Sequence, residues 1–294
     1  RLVGAGYGVR AMVHSKPVEV EGVQPFEGSV TDEERMKLAV DGMDAVCYLA
    51  TVKGAPRWLD VAVKGTYNLL EAARKSGRIK RWILAGGDAA MGIWVRPQPV
   101  PINETMPHNA YPGPYSFSKV LEEVAGQQYH IMYGVPYVCL RASWIMDGDD
   151  FVSHMRVRGR SFGAPKWSKY ITPEQEKELP AGEELIPVGV KADGSPIVRH
   201  IVHVKDVAAA FLLALERPES AGETFNIAAP EAFSYDEAAA YLAGKTGMRT
   251  VEVKIPEAHD FRIDISKARA ELGYAPKYDT KRIIDEALEA AGSA

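Results

Sequence analysis

Asp44-Ala45-Val46-Cys47-Tyr48-Leu49-Ala50 is an almost unbroken apolar run. Such a run reads as a strand in a sheet covered on both faces. Upstream, Val9-Arg10-Ala11-Met12-Val13 and the short Val23 to Phe26 read as strands. Between them and the apolar run, an acidic start at Thr31-Asp32 opens a helix that ends near Gly42. Downstream, the pattern continues with a helix over Val61 to Lys75 closed by Gly77, then a strand over Arg81-Trp82-Ile83-Leu84-Ala85. A helix around Tyr115 follows, then a strand over Tyr137-Val138-Cys139-Leu140-Arg141. Strands alternating with helices predict an α/β fold, a doubly wound parallel sheet with right-handed crossovers.

After Asp150 the pattern changes. Residues 151–173 carry Arg156, Arg158, Arg160, Lys166 and Lys169 with no acidic residue, and Trp167 and Tyr170 are interleaved. This segment is either a solvated surface loop or a flap facing an anionic substrate. Residues 174–187 are acidic and proline-punctuated, a loop or short helix. Strands are predicted over Ile197 to Val204, Thr224 to Ala228 and Val251 to Ile255. Helices are predicted over Asp206 to Leu215, Tyr235 to Thr246, Ser266 to Leu272 and Lys281 to Ala291. The division expected is a Rossmann-like dinucleotide-binding domain over 1–150, to which 188–216 returns, with 151–187 and 217–294 forming mainly a smaller α+β substrate region.

Gly4-Ala5-Gly6-Tyr7-Gly8 has the glycines of a phosphate loop but the wrong context, since it precedes a strand instead of following one. It reads as a helix C-terminus ending in glycine. The usual first strand and glycine loop are therefore expected to be missing from the chain.

The chain has 294 residues, 46% hydrophobic and 25% charged, with a formal net charge of −4. That is enough to bury a sizeable core. It offers no global basic field for nucleic acid or an anionic membrane. No apolar run approaches the ~18 residues of a membrane span, and no secretory leader is expected. Cys47 and Cys139 lie in strand-like runs and read as buried thiols of a cytoplasmic protein. Nothing in the sequence calls for a metal.

Tyr115-Ser116-Phe117-Ser118-Lys119 carries chemistry. On a helix, residues four apart share a face, so phenol and ammonium reach one pocket. A phenol titrates near ~10, and a neighbouring cation favours its phenolate. The pair can then exchange a proton with a substrate hydroxyl or carbonyl. The same spacing is also common on exposed helix faces.

Several blocks together resemble the extended short-chain dehydrogenase/reductase family, in its NAD-dependent epimerase/dehydratase branch. They are Tyr48-Leu49-Ala50, Gly65-Thr66-Tyr67-Asn68-Leu69-Leu70-Glu71-Ala72-Ala73 and the Tyr115/Lys119 pair. They continue with Arg199-His200-Ile201-Val202-His203-Val204-Lys205-Asp206-Val207, Phe225-Asn226-Ile227 and Asp264-Ile265-Ser266-Lys267-Ala268 through Leu272-Gly273-Tyr274. They occur in family order over essentially the whole chain.

The resemblance implies bound NAD or NADP, with Tyr115 moving the proton and Lys119 holding the nicotinamide ribose. It implies cofactor contacts at His14, Ser29, Val30, Leu49, Ala50, Thr51, Lys53, Ala85, Gly86, Ala142 and Trp144 besides the pair. Substrate contacts are expected at Asp88, Arg199, Arg158 and Lys166. The family's catalytic Ser or Thr falls on Gly87, so a backbone N–H of the Gly86-Gly87-Asp88 turn or Asp88 itself must substitute. Lys64 and Ala142 stand where the family usually has Asn and Pro. The C-terminal arginine motif that clamps a sugar nucleotide's diphosphate is not evident between Ile255 and Asp264. A smaller acidic or polyol-like substrate is therefore expected over a full nucleotide sugar. The end of the second family strand reads Val13-His14-Ser15-Lys16, which suits a 2′-phosphate and leans the choice to NADP.

Two function classes follow. One is an NAD(P)-dependent oxidoreductase or epimerase acting at a hydroxyl or carbonyl carbon, with a nucleotide-sugar epimerase/dehydratase as its variant. The other is a non-catalytic NAD(P)-binding regulator. Retention of both Tyr115 and Lys119 favours the enzyme. A homodimer is expected by the resemblance.

Overall fold

The computed structural model describes every residue except 53, 55, 94–95, 160–165, 179–181 and 293–294. The first half alternates as the sequence predicts. It runs β1 (Val9–Val13), β2 (Val23–Glu27), α1 (Glu33–Val40), β3 (Ala45–Tyr48), then a π-helical turn at Asp60–Gly65 leading into α2 (Thr66–Ser76). It continues with β4 (Arg81–Gly87), α3 (Pro114–Tyr133) and β5 (Tyr137–Ala142). Beyond these come β6 (Trp144–Met146), α4 (Gly148–His154), α5 (Pro173–Glu178), β7 (Ile186–Val190), β8 (Val198–Arg199) and β9 (Ile201–His203). The chain closes with α6 (Val204–Glu216), β10 (Thr224–Ile227), β11 (Phe233–Ser234), α7 (Tyr235–Thr246), β12 (Thr250–Lys254) and α8 (Thr280–Gly292).

The central sheet is parallel, in the order β10-β5-β4-β3. Successive strand side chains point to opposite faces, and the core divides accordingly. Ile83, Val138, Leu140 and Phe225 pack with Ala210, Phe211 and Ala214 of α6. Trp82, Leu84, Tyr137 and Cys139 pack with Leu70 and Ala72 of α2 and with Met36 and Val40 of α1. Each fully buried large side chain here contributes ~1.5–3 kcal/mol. Gly126 lets α3 lie on β5, because a Cβ there would stand 2.1 Å from the Tyr137 ring. Arg141 of β5 bonds Glu123 of α3 through Nε at 2.9 and 3.0 Å, both side chains buried. That ion pair fixes the helix against the sheet.

β1 and β2 form a separate parallel pair. Arg10 of β1 fastens it to α1 by donating to the carbonyls of Leu38, Ala39 and Asp41 at 3.2, 3.1 and 3.0 Å. These are carbonyls at the helix end that lack intrahelical donors. Within residues 1–20 a single 3₁₀ turn at Val3–Ala5 ends on Gly6, whose φ of 86° is left-handed, and β1 follows. The glycine-rich stretch thus precedes a strand, as read from the sequence.

The rest departs from the expectation in detail. The acidic stretch before residue 187 ends in a strand, β7, paired parallel with β12. The strand expected over Ile197 to Val204 is broken at His200 into β8, which pairs antiparallel with β11, and β9, which pairs parallel with β6. Phe151, Trp167, Ile186, Tyr235, Leu242, Val253, Ile283 and Ile284 build a further core cluster there.

Candidate active site

β4 ends at Gly86-Gly87 and turns into a 3₁₀ segment at Asp88–Met91. Beside it starts α3, with Pro114 in its first turn, where a missing N–H and fixed φ cost nothing. Ser116 Oγ donates to the Gly113 carbonyl at 3.0 Å and also to that of Tyr111. Tyr115 is held in that turn, at the carboxyl ends of the parallel strands where open α/β sheets bind ligands.

Gly87 is extended (φ −164°, ψ 153°) and faces the phenol, since a Cβ added to it would stand 3.9 Å from Tyr115 Oη. Asp88 follows, and its Oδ2 accepts from Ser143 Oγ at 3.3 Å. Ser143 also donates to the His200 carbonyl. Lys119 Nζ donates to the Ala85 carbonyl at 3.0 Å and to Glu122 Oε2 at 2.9 Å, and lies 5.8 Å from the centroid of the Tyr115 ring. Burial, then the negative charge of Asp88, then Tyr111 and Glu122 push the Tyr115 phenol well up from its ordinary value. The lowering by Lys119 that the resemblance implies does not offset this rise. Sequence reasoning missed Glu122 and Ser143. Glu122 was detectable by its spacing of three from Lys119, which shares a helix face. Ser143 was detectable by its place just past a parallel strand.

The remaining expected residues are dispersed. Ala142 ends β5 in register with Gly87. Trp144 opens β6, its ring edge-on to His154 at 4.8 Å. Leu49, Ala50 and Thr51 follow β3, with Leu49 exposed; Lys53 lies outside the described residues. His14 is exposed past β1. Ser29 Oγ bonds Thr31 Oγ1 at 2.9 Å, whereas Val30 is a core residue whose carbonyl accepts from Asn68. Arg199 is buried, donates to the carbonyls of Val198 and His259, and lies 5.0 Å over the Phe261 ring. Exposed Arg158 donates to the Glu183 carbonyl at 2.9 Å, and Lys166 is exposed. A cavity of about 440 Å³ adjoins the first turn of α3, lined by Trp58, Ala110, Tyr111, Pro112, Gly113, Pro114 and Phe117.

The nicotinamide half of a dinucleotide fits these residues. Gly87 puts no side chain beside the Tyr115 hydroxyl, which an added Cβ would approach to 3.9 Å, and a buried lysine stands one helical turn further on. Ala85, Gly86, Tyr115 and Lys119 would hold it. No strand–glycine loop–helix unit for the pyrophosphate occurs within residues 1–20. Among the described residues no group of His, Cys, Asp and Glu side chains is arranged to hold a metal ion, and no helix is long and apolar enough to cross a membrane.

A parallel Rossmann-like sheet with a tyrosine and a lysine four apart at its carboxyl edge defines the short-chain dehydrogenase/reductase class. A sequence model of the NAD dependent epimerase/dehydratase family matches residues 1–228, and the chain belongs to that family. A short-chain dehydrogenase/reductase superfamily protein from Agrobacterium tumefaciens, solved with bound NAD, is 26% identical with a TM-score of 0.86. The match covers 99% of this chain and 92% of that one. UDP-glucose 4-epimerase from Thermotoga maritima, solved with UDP-glucose, is 24% identical with a TM-score of 0.72, covering 99% and 93%. RMD from Pseudomonas aeruginosa, complexed with NADPH, is 20% identical with a TM-score of 0.67, covering 92% and 90%. No functionally curated protein matches the chain in sequence.

Proposed function

We propose that the protein is an NAD(P)-dependent oxidoreductase or epimerase acting on a hydroxyl or carbonyl carbon of a small, anionic or sugar-like substrate. The observation that carries this reading is the convergence of Tyr115, Lys119, the open Gly87 and Asp88 at one edge of the sheet. A nicotinamide bound there supplies hydride transfer. Tyr115, protonated and buried, donates its proton to the substrate oxygen as negative charge develops on it, and recovers one in the reverse direction. In this reading the backbone N–H groups of the Gly87-Asp88 turn take the place of a hydroxyl donor and polarise that oxygen. Aromatic walls at Trp58, Tyr111 and Phe117 suit the apolar face of a sugar ring.

His14, Ser15 and Lys16 support NADP over NAD, and Kd measurements for both cofactors test this. Phe117, Val124 and Ile131 leave an apolar stripe of α3 exposed, which supports a homodimer. A full nucleotide sugar, the ligand of the Thermotoga epimerase, is the second reading. The deciding experiment is a panel of sugar acids, polyols and nucleotide sugars with cofactor absorbance recorded throughout. Net change of reduced cofactor marks a dehydrogenase, and product without net change marks an epimerase or dehydratase. Cofactor binding with no turnover on any substrate favours a regulatory protein.

A further inference from the structure

We propose that Arg35 of α1 joins Lys16 and His14 in a site for the 2′-phosphate of NADP, and so selects which dinucleotide the protein takes. The proposal rests on the dinucleotide-dependent function above and names a residue that sets its cofactor. Sequence reasoning missed Arg35, because only the fold brings it to the strand ends. β1 and β2 run parallel and end together, with Val13 in register with Glu27. Gly28 N–H donates to the Val13 carbonyl at 3.0 Å, so the chain leaving β2 is tied to the residue before His14. A Cβ added to Gly28 would stand 3.5 Å from Arg35 Nε and 3.7 Å from Met12 Sδ. Arg35 therefore lies beside the carboxyl ends of the pair, where open α/β sheets bind ligands.

Arg35 is half-buried and held in place. It donates through Nη2 to the Glu27 carbonyl, and its guanidinium carbon lies 4.4 Å from the centroid of the Phe26 ring. Most of its N–H donors have no partner among the described residues. The carboxylates near it in sequence are engaged or turned away. Asp32 accepts from the backbone N–H of Arg35 at 3.1 Å, and Glu33 and Glu34 pair with Lys37 at 3.0 and 2.6 Å. Glu27 follows Phe26 on the strand, so its side chain points to the other face. His14 and Lys16 are exposed and likewise form no ion pair with the described residues. A planar fork that is already positioned and lacks a counter-ion suits a phosphate, with which it forms paired charge-assisted hydrogen bonds. An acidic residue just past β1 would instead suit the ribose hydroxyls of NAD, and that place holds His14.

The test needs no turnover. Adenosine 5′-monophosphate and adenosine 2′,5′-bisphosphate differ only in the 2′-phosphate, and calorimetric titration of the full chain compares them. The bisphosphate is expected to bind roughly ten- to a hundredfold tighter, the worth of hydrogen bonds to a charged group, and the margin should narrow as salt rises. Arg35→Gln is expected to remove about tenfold of that margin by weakening the bisphosphate alone. Arg35→Lys, which keeps the charge without the fork, should recover part of it. An Arg35 that only braces Phe26 and the Glu27 carbonyl would weaken both ligands alike on substitution, and that result overturns the proposal. Should Arg35→Gln not fold, Lys16→Gln on the exposed turn decides it. A several-fold loss confined to the bisphosphate supports the site, and an unchanged ratio overturns it. Equal binding of the two ligands by the unsubstituted protein overturns the site alone and leaves the enzymatic reading standing with NAD. Binding of neither overturns the site and the dinucleotide-dependent reading together.

Discussion

Substituting Gly87 by serine places a hydroxyl beside Tyr115, and its outcome can be worked from the backbone. At φ −164° the residue is extended, so no left-handed strain opposes a side chain. The nearest atoms to an added Cβ are Tyr115 Oη at 3.9 Å and the Ala142 carbonyl and Ala89 nitrogen at 4.0 Å, ordinary contact distances. Replacing a glycine in such a conformation stabilises by ~0.4–1 kcal/mol through the unfolded chain, about 1–4 °C in Tm for a chain of this size. Gly86→Ser is the internal control. Its Cβ would meet Cys139 Sγ at 2.5 Å and the Leu140 carbonyl at 3.2 Å, and overpacking of that kind costs ~1–3 kcal/mol. Thermal unfolding should therefore move in opposite directions for two adjacent glycines. A positioned oxyanion-type donor is worth ~10²–10³ in rate. If backbone donors already serve the position, turnover of Gly87→Ser should rise by at most ~10². Equal destabilisation of the two variants, or a folded Gly87→Ser protein whose turnover collapses, would refute the placement of position 87 at the reacting oxygen with room to spare.

Tyr115→Phe should retain cofactor binding by fluorescence titration while kcat falls by roughly 10²–10⁴, and wild-type turnover in that variant would end the catalytic reading. Neutralising Arg158 and Lys166 together should raise KM for an anionic substrate and flatten the salt dependence of kcat/KM; unchanged kinetics would mark them as solvated surface. His200 accepts from Ile263 N–H at Nδ1 and bonds the Ala229 carbonyl through Nε2, an arrangement that only the neutral ring satisfies. Burial lowers it from 6.5 to about 4. Between those values the unfolded chain binds a proton that the folded one refuses, so stability present above pH 6.5 is lost as pH falls toward 4, by roughly 3 kcal/mol at most. His154, lowered by burial to about 3, adds to the same slope. Denaturant unfolding at pH 7 and pH 4.5 should show the loss, and His200→Asn should flatten it in part.

The alternation of strands and helices was legible because each element carries its own period and its own terminators. Gly77 and Gly247 end α2 and α7 in left-handed conformations, as their positions after helical runs imply. β7 was hidden by acidic neighbours, since Ile186–Val190 is short and its pairing with β12 joins residues some sixty apart. The separation of β1 and β2 from the central sheet was expected only as a missing first strand. Tyr115 and Lys119 could be found by spacing and family order. The rise of the Tyr115 phenol could not, because it depends on how dry the pocket is and on groups brought to it by the turn after β4, the preceding loop and α3. Arg199 shows the converse. Its motif position was legible, but its carbonyl partners, Val198 and His259, come from folding.

The strands differ in how deeply they are buried. β4 and β5 are buried almost throughout, whereas β1 is half-buried along its whole length and β2 largely exposed. Elements with few buried contacts open at lower free energy than the global unfolding of the core. Amide protons of β4 and β5 should therefore exchange more slowly than those of β1, a difference that native-state hydrogen exchange would measure. His14 and Ser29 lie at the ends of the less buried pair and Gly87, Tyr115 and Lys119 on or beside the more buried strands. On the proposed function, a dinucleotide spanning both would meet its adenine-side contacts on the less buried strands and the residues proposed for proton transfer on the more buried ones.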